Sequence, residues 1–349
     1  MIQQEENNMG NIFIILGNGF SIDLVKKMDK SDDVDLNNLF RKGEYVMYPK
    51  TKQKGFLSRR NTPDLWTLGA RTYMTYEKSM QLITDVITCA NVFNLSVEKR
   101  PGESKDSSSV FVHAYSELSS YLRYLFIYYN SLIKDDDLKS IIEKIELLDY
   151  IKKSQSNHRK IYIVTYNYDI LLERLLLLAG INFDLYGFSD TNADIVIFKP
   201  HGSISFSFKI KVQESSPYNI RDAISEAISQ NASDFEVKYN LEDDYPIVNA
   251  IIPPAGDSTR FSFGWIKEIR KGIEDIIINS TSKDEMILFG LSYWHVDRNE
   301  IDDILLSMDS LMEVKYINPS PPTSLDAVLT SLFKNYIHYS SGMLLKEEL

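Results

Sequence analysis

The residues best suited to chemistry are Asn167, Asp169 and His201, which lie in the segments TYNYD and PHGS. A neutral imidazole can accept a proton or orient a hydroxyl group near pH 7. The amide and the carboxylate can hydrogen-bond ligand hydroxyls or a water. Each residue also has a structural interpretation, because Asp169 can cap a helix at 170–178, Asn167 tolerates a left-handed turn, and a single histidine is more often structural.

A second candidate is the glycine loop GNGFS, which follows an apolar run and opens a helix. Backbone N–H groups at a helix start can receive a pyrophosphate, and glycine permits its close approach. The sixth position of a GxGxxG fingerprint is Ile22, so that fingerprint is incomplete, and no P-loop lysine follows. A tight strand–helix turn is the alternative interpretation. The loop comprises Gly17, Asn18, Gly19, Phe20 and Ser21.

Short apolar strands followed by turns and helices must position these residues. Polar segments follow Leu16, Val164, Phe198, Phe289 and Ile317. This alternation predicts an α/β fold with a Rossmann-like, doubly wound parallel sheet, whose ligands bind beyond the carboxyl ends of the strands. The convergence of polar segments on one sheet edge is the main indication of a site.

Later segments extend the same pattern. We expect a helix near 219–230, a strand and Pro-rich turn in PIVNAIIPPAGD, and a helix at 262–279. Gly290 and Ser292 begin a strand-end loop, Asp297 is placed as the N-cap of a helix at 298–308, and Asn318 closes the last strand.

Residues 25–155 differ in character and are interpreted as a mainly helical insertion into a core formed by 1–24 and 156–349. Residues 30–62 resemble an irregular loop, whereas 63–98 and 110–153 have helical patterns, separated by the linker KRPGESKDSSS. The aromatic-rich stretch VFVHAYSELSSYLRYLFIYYNSLI predicts either a helix–helix core or an oligomer contact.

Composition narrows the class of protein. The net charge of −11 argues against direct nucleic-acid binding, and a local basic patch such as Lys50 to Arg60 is the alternative left open. One cysteine, Cys89, can build neither a disulfide framework nor a four-cysteine zinc site, so no zinc is expected. No secretory signal is evident and the apolar runs are too short for a bilayer, which predicts a cytoplasmic protein without membrane contact.

In this order, the motifs resemble those of the sirtuin superfamily. LGNGFS is similar to its Gly-Ala-Gly-hydrophobic-Ser loop, TYNYD to its Thr-x-Asn-x-Asp motif, and FKPHGS to its His-Gly-Ser motif. FGLSYWHVD and YINP resemble its two motifs for the adenosine half of NAD. The resemblance covers 12–24, 161–203 and 286–320, and it does not extend to the insertion.

Departures from the family point away from a peptide deacylase. The zinc module and the Gly-Ile-Pro-Asp-Phe-Arg segment are absent, and Asn18 replaces the usual alanine. The pattern is more similar to the sirtuin-like NADases of bacterial anti-phage defence, and IIPPAGDSTRF resembles a Pro-Pro element of those proteins. The resemblance therefore implies an NAD glycohydrolase that releases nicotinamide and ADP-ribose, with NAD as substrate and no other cofactor.

The resemblance also implies residue roles and partners. Asn167, His201 and Asp169 would be catalytic, and the ligand-binding residues would be Gly17, Asn18, Gly19, Phe20, Ser21, Thr165, Gly290, Ser292 and Asn318. Homo-oligomerisation, through helices near 110–133, and a separately encoded ATPase or sensor would restrain the enzyme. The alternatives are a non-catalytic NAD or ADP-ribose module, a deacylase or ADP-ribosyltransferase, and another Rossmann-type phage-abortive protein with a different substrate.

Overall fold

The computed structural model describes residues 10–99, 110–157, 159–189, 192–213, 216, 218, 220, 231–253, 264–294 and 298–346. Within these residues, seven strands form one parallel sheet in the order β10-β9-β8-β1-β2-β4-β3. Their bounds are β1 Ile12–Leu16, β2 Ile161–Thr165, β3 Asp184–Leu185, β4 Ile195–Phe198, β8 Glu285–Phe289, β9 Glu313–Ile317 and β10 Asn335–Tyr339. The expected α/β Rossmann-like fold is confirmed.

The central strand β1 pairs with β2 on one side and β8 on the other, with Leu16 level with Thr165 and Phe289. All five residues of β1 are buried, as expected for a strand covered by helices on both faces. If the two-residue strand β3 is left out and the other six strands of this sheet are numbered again in chain order, they lie in the order 3-2-1-4-5-6. This is the arrangement of dinucleotide-binding sheets. The chain therefore changes direction of winding at β1 and β8, where such sheets bind ligands.

The helices of the described residues follow this alternation, and the expected insertion is mainly helical. The two long helical patterns at 63–98 and 110–153 prove to be broken by turns into several helices. The bounds are α1 Asn18–Lys27, α2 Pro63–Thr67, α3 Tyr76–Lys99, α4 Val110–Leu132, α5 Asp135–Lys139, α6 Glu146–Ser156, α7 Leu171–Leu178, α8 Gly264–Ile277, α9 Arg298–Ser307 and α10 Thr323–Leu332.

A second, antiparallel sheet lies outside the parallel one. It has the order β6-β5-β7, with bounds β5 Gly202–Phe208, β6 Phe235–Val237 and β7 Asn249–Ile251. The PIVNAII segment therefore forms a strand as expected, but in this smaller sheet. The helix expected near 219–230 lies outside the described residues.

Helix α4 is the central helix of the insertion, and its aromatic residues form the protein core. Tyr115, Tyr121, Tyr124 and Phe126 are all less than 8% exposed, and α4 packs against α2, α3, β5 and β7. The structure therefore supports the helix–helix interpretation. The side chains of this stripe that are buried within one chain are not available for an oligomer contact.

One continuous hydrophobic core joins the sheet to the insertion. Helix α1 runs to Lys27 and so crosses the expected boundary at residue 24. Among the described residues, no helix is long and apolar enough to span a bilayer.

Candidate functional site

A cleft of about 1390 Å³ opens at the carboxyl edge of the parallel sheet. It exceeds the roughly 300–1,000 Å³ of an ordinary small-molecule pocket, so its size suits an extended ligand. The loops after β1, β2, β4, β8 and β9 all contribute to its wall. The predicted site residues that line it are Gly17, Asn18, Gly19, Asn167, Asp169, His201, Gly290, Ser292 and Asn318.

Asn167 presents its amide oxygen to this cleft. Its Nδ2 atom donates to the carbonyl oxygen of Gly17 and to Ser21 Oγ, each at 3.0 Å. The Gly17 carbonyl can only accept, so the amide orientation is fixed by chemistry. Among the described residues, no donor reaches Asn167 Oδ1, which leaves that oxygen to accept a hydrogen bond from a water or a ligand hydroxyl. Asn167 does not have the positive φ of a left-handed turn.

Asp169 supports Asn167 through Ser21. The Ser21 hydroxyl donates to Asp169 Oδ2 at 2.8 Å, and the Leu171 N–H donates to Asp169 Oδ1 at 3.0 Å. The second bond satisfies a free N–H at the start of α7, close to the capping role foreseen from the sequence. Because both carboxylate oxygens have partners within the chain, the geometry gives Asp169 a positioning role.

The glycine loop is organised differently from a phosphate cradle. The Gly17 N–H donates to Phe289, the Gly19 N–H to Gly290, and the Phe20 N–H back to Gly17, at 2.9–3.1 Å. Among the described residues, the Asn18 N–H at this helix start has no partner. Three of the N–H groups considered for a pyrophosphate therefore already donate within the protein. The positive end of the α1 dipole still favours an anion there.

The loops after β8 and β9 are joined on the opposite side of the cleft. Asn318 Nδ2 donates to the Leu291 carbonyl at 3.1 Å and to Tyr316 Oη at 2.8 Å. The Tyr316 hydroxyl donates to the same Leu291 carbonyl at 2.8 Å. Ser292 is exposed on this wall. Asn318 therefore holds the loop that presents Ser292.

His201 lies at the turn between β4 and β5 and is 2% exposed. Its Nε2 atom is 3.1 Å from Glu300 Oε2, and Glu300 Oε1 accepts from Arg270 Nη2 at 2.6 Å. Burial opposes ionisation of Glu300, but His201 and Arg270 outweigh it and lower the pKa of the carboxyl. The next residue must be glycine, because Gly202 has φ +84° and a Cβ there would lie 1.8 Å from the Ala250 carbonyl oxygen.

A buried ion pair lies beneath the loop that carries Asn167. Lys199 Nζ is 2.7 Å from Glu173 Oε1 and donates to the Asp169 carbonyl at 2.6 Å. Burial raises the pKa of Glu173, and the charge of Lys199 opposes that rise. The pair connects the end of β4 to α7 and fixes the backbone between them.

Cationic and aromatic side chains complete the wall. Lys26 and Arg298 supply positive charge, and Tyr166 and Trp294 supply ring surfaces. The Arg298 guanidinium lies 4.8 Å from the centre of the Tyr293 ring. These groups suit a ligand that carries both phosphates and flat rings.

Three predicted ligand-binding residues lie beneath the cleft surface instead of lining it. Phe20 is 2% exposed and packs edge-on against Phe289 with ring centres 5.5 Å apart. Ser21 is occupied by Asn167 and Asp169, and Thr165 Oγ1 accepts from the Asn167 N–H at 3.2 Å. These residues shape the loops that carry the lining residues. Asp297, and the predicted IIPPAGD loop beyond residue 253, lie outside the described residues.

Sequence reasoning missed Glu300 and Arg270. Neither stands at a strand end, and both are placed beside His201 by the packing of α8 and α9. Their sequence spacing carried no signal of the contact.

No protein-family model matches the chain, and a search of curated proteins gives no match.

Proposed function

We propose that the chain is an NAD glycohydrolase of sirtuin-like type that hydrolyses NAD to nicotinamide and ADP-ribose. The observation that carries the proposal is that Asn167 and His201 line one cleft at the sheet edge where dinucleotides bind. The order of the TYNYD, HGS, GLS and YINP segments along the chain adds support. The cleft also offers cations for two phosphates and rings for the flat bases.

The reaction does not need a general acid to protonate the leaving group. The bond between C1′ of the ribose and the pyridinium nitrogen breaks, and its electron pair leaves with neutral nicotinamide. Water oxygen forms the new bond to C1′, and one proton passes to solvent. The protein must hold the ribose, shield an oxocarbenium-like centre and place the water. Asn167 Oδ1 would accept a hydrogen bond from that water or a ribose hydroxyl, and His201 would orient a hydroxyl or accept a proton.

The first test is incubation of the purified chain with NAD, followed by chromatography of the products. We expect nicotinamide and ADP-ribose from the wild type, and loss of both products in Asn167→Ala and His201→Ala proteins of unchanged circular dichroism. A chain that binds NAD without consuming it would instead be a binding module. NAD loss only with an added acceptor would indicate a transferase or deacylase, and full turnover by the double variant would overturn the site.

Such an enzyme depletes the NAD of its own cell unless it is restrained. We propose an NAD-depleting effector of anti-phage defence, acting in the cytoplasm and restrained by self-assembly or by a separately encoded ATPase or sensor. The assembly surface would lie outside the buried α4 stripe. A monomer by light scattering that is fully active alone would contradict this restraint.

A further inference from the structure

The contact between His201 and Glu300 joins three separate elements of the fold. His201 lies on the turn after β4, Glu300 on α9 and Arg270 on α8. The side chains of Glu300 and Arg270 are 17% and 20% exposed, so solvent screens their interaction only in part. A single carboxylate thus contacts the imidazole through one oxygen and a guanidinium through the other.

We propose that Glu300 is a positioning residue that sets the tautomer and orientation of His201, with Arg270 holding the carboxylate in place. The expected effect of Glu300 on catalysis rests on the proposed NAD glycohydrolase function. Its effect on the protonation and orientation of His201 does not, and can be measured without any turnover.

The tautomer follows from the donor and acceptor inventory. An ionised carboxylate can only accept, so His201 Nε2 must carry the hydrogen. In the neutral ring, Nδ1 is then the acceptor. A base whose second nitrogen is held by a carboxylate is the general arrangement of activated histidines.

The orientation is fixed from a second direction. The Tyr166 ring lies 4.9 Å from the imidazole centre at 61°, which opposes rotation of the imidazole away from Glu300. Among the described residues, the titratable or charged groups with a known contact to the imidazole or its carboxylate include Tyr166 from the loop after β2, Glu300 from α9, and Arg270 from α8 behind the carboxylate. Glu300 favours the imidazolium, and Arg270 partly offsets that effect.

The test uses Glu300→Gln in the full chain. A glutamine has the same length but one carbonyl oxygen, so it cannot accept from both His201 and Arg270. We expect the NMR titration midpoint of His201 to move to lower pH by about one unit. The signal is assigned by comparison with His201→Ala. The acid limb of kcat for NAD should move the same way, with kcat at the optimum lowered about tenfold and KM little changed.

Two further variants make the test decisive. Asp303→Asn removes one negative charge from an exposed position of the same helix and should leave both the midpoint and kcat unchanged. Arg270→Gln removes the offsetting cation and should move the His201 midpoint upward, which also tests the proposal if Glu300→Gln fails to fold.

Unchanged His201 midpoints in both the Glu300 and Arg270 variants would overturn the proposal. Higher turnover in Glu300→Gln would also overturn it, since the carboxylate would then restrain the histidine. Absence of NAD consumption by the wild type would contradict the proposed function. The NMR titration of His201 would still show whether Glu300 sets the protonation of the histidine.

Discussion

Gly19 and Gly290 meet backbone to backbone at the centre of the sheet edge. The Gly19 N–H donates to the Gly290 carbonyl at 2.9 Å, and a Cβ on Gly19 would lie 2.6 Å from Gly290 Cα. The glycine at position 19 thus serves the contact between two strand-end loops, where the sequence alone suggested contact with a phosphate.

Gly19→Ala should therefore destabilise the fold before it affects any ligand. The added methyl meets backbone, which cannot rotate away, so we expect the free energy of unfolding to fall by about 1–3 kcal/mol or more. Chemical denaturation measures the change. Gly342→Ala is the matched control, because its Cβ would find ordinary contacts at 3.4 Å or beyond. Equal stability of the two variants would contradict the close approach.

The Lys199–Glu173 pair should show strong coupling. Lys199→Met leaves a fully buried carboxylate without its cation, and we expect a loss of about 3–5 kcal/mol. Adding Glu173→Leu should recover much of that loss, because the double variant buries no charge. Denaturation of the single and double variants measures the coupling. Additive losses would show that the two side chains do not act as a pair.

Glu117 should make stability depend on pH. Its carboxylate accepts from the Leu65 and Asp64 N–H groups at the start of α2, at 2.8 and 3.2 Å. Burial raises its pKa to about 7, against the two N–H bonds, which lower it. A raised carboxyl pKa means that the folded state binds more protons between about pH 4.5 and 7, so its contribution to stability is present below that range and is lost as pH rises through 7.

The comparison that isolates this carboxyl is wild type against Glu117→Gln. We expect the wild-type advantage in Tm to be larger at pH 5 than at pH 8, since other groups cancel between the two proteins. A difference in Tm between the two proteins that is constant, or that grows with pH, would contradict a raised pKa for this carboxyl.

In the proposed NAD glycohydrolase, Arg298 should contribute to substrate binding through its charge. Arg298→Gln removes one cation from the cleft wall, and we expect KM for NAD to rise about tenfold or more with kcat little changed, since a charge-assisted hydrogen bond is worth about 1.5–3 kcal/mol. Steady-state kinetics measure both constants. Arg60→Gln, at an exposed position that does not line the cleft, should behave like wild type. An unchanged KM in the Arg298 variant would remove this residue from the binding surface.

Much of the fold could be predicted because apolar runs and strand-end turns are local signals. The strands β1, β4, β8 and β9 end where the sequence placed polar segments, and β2 ends one residue later than expected. By contrast, β3 has only two residues and β10 is largely exposed, so neither has a buried pattern. The pairing of β5 with β7 depends on distant partners, which a single strand does not specify.

The site shows the same division. Strand-end position was enough to bring Asn167 and His201 to one cleft. The sequence could not predict which side-chain atoms remain available to a ligand. Asn167 Nδ2, for example, donates to the carbonyl oxygen of Gly17, which is 150 residues away. The partner of His201 is separated from it by 99 residues and reaches it only through helix packing.

The central position of β1 has a consequence for protein synthesis. The first strand needs β8 as a neighbour, and the cleft needs the loop after β9, so about 300 residues must follow Leu16 before the edge is complete. At roughly 5–20 residues per second, translation of that stretch takes about 15–60 s. A nascent chain on the ribosome therefore lacks the finished cleft until the residues that follow Ile317 have been synthesised.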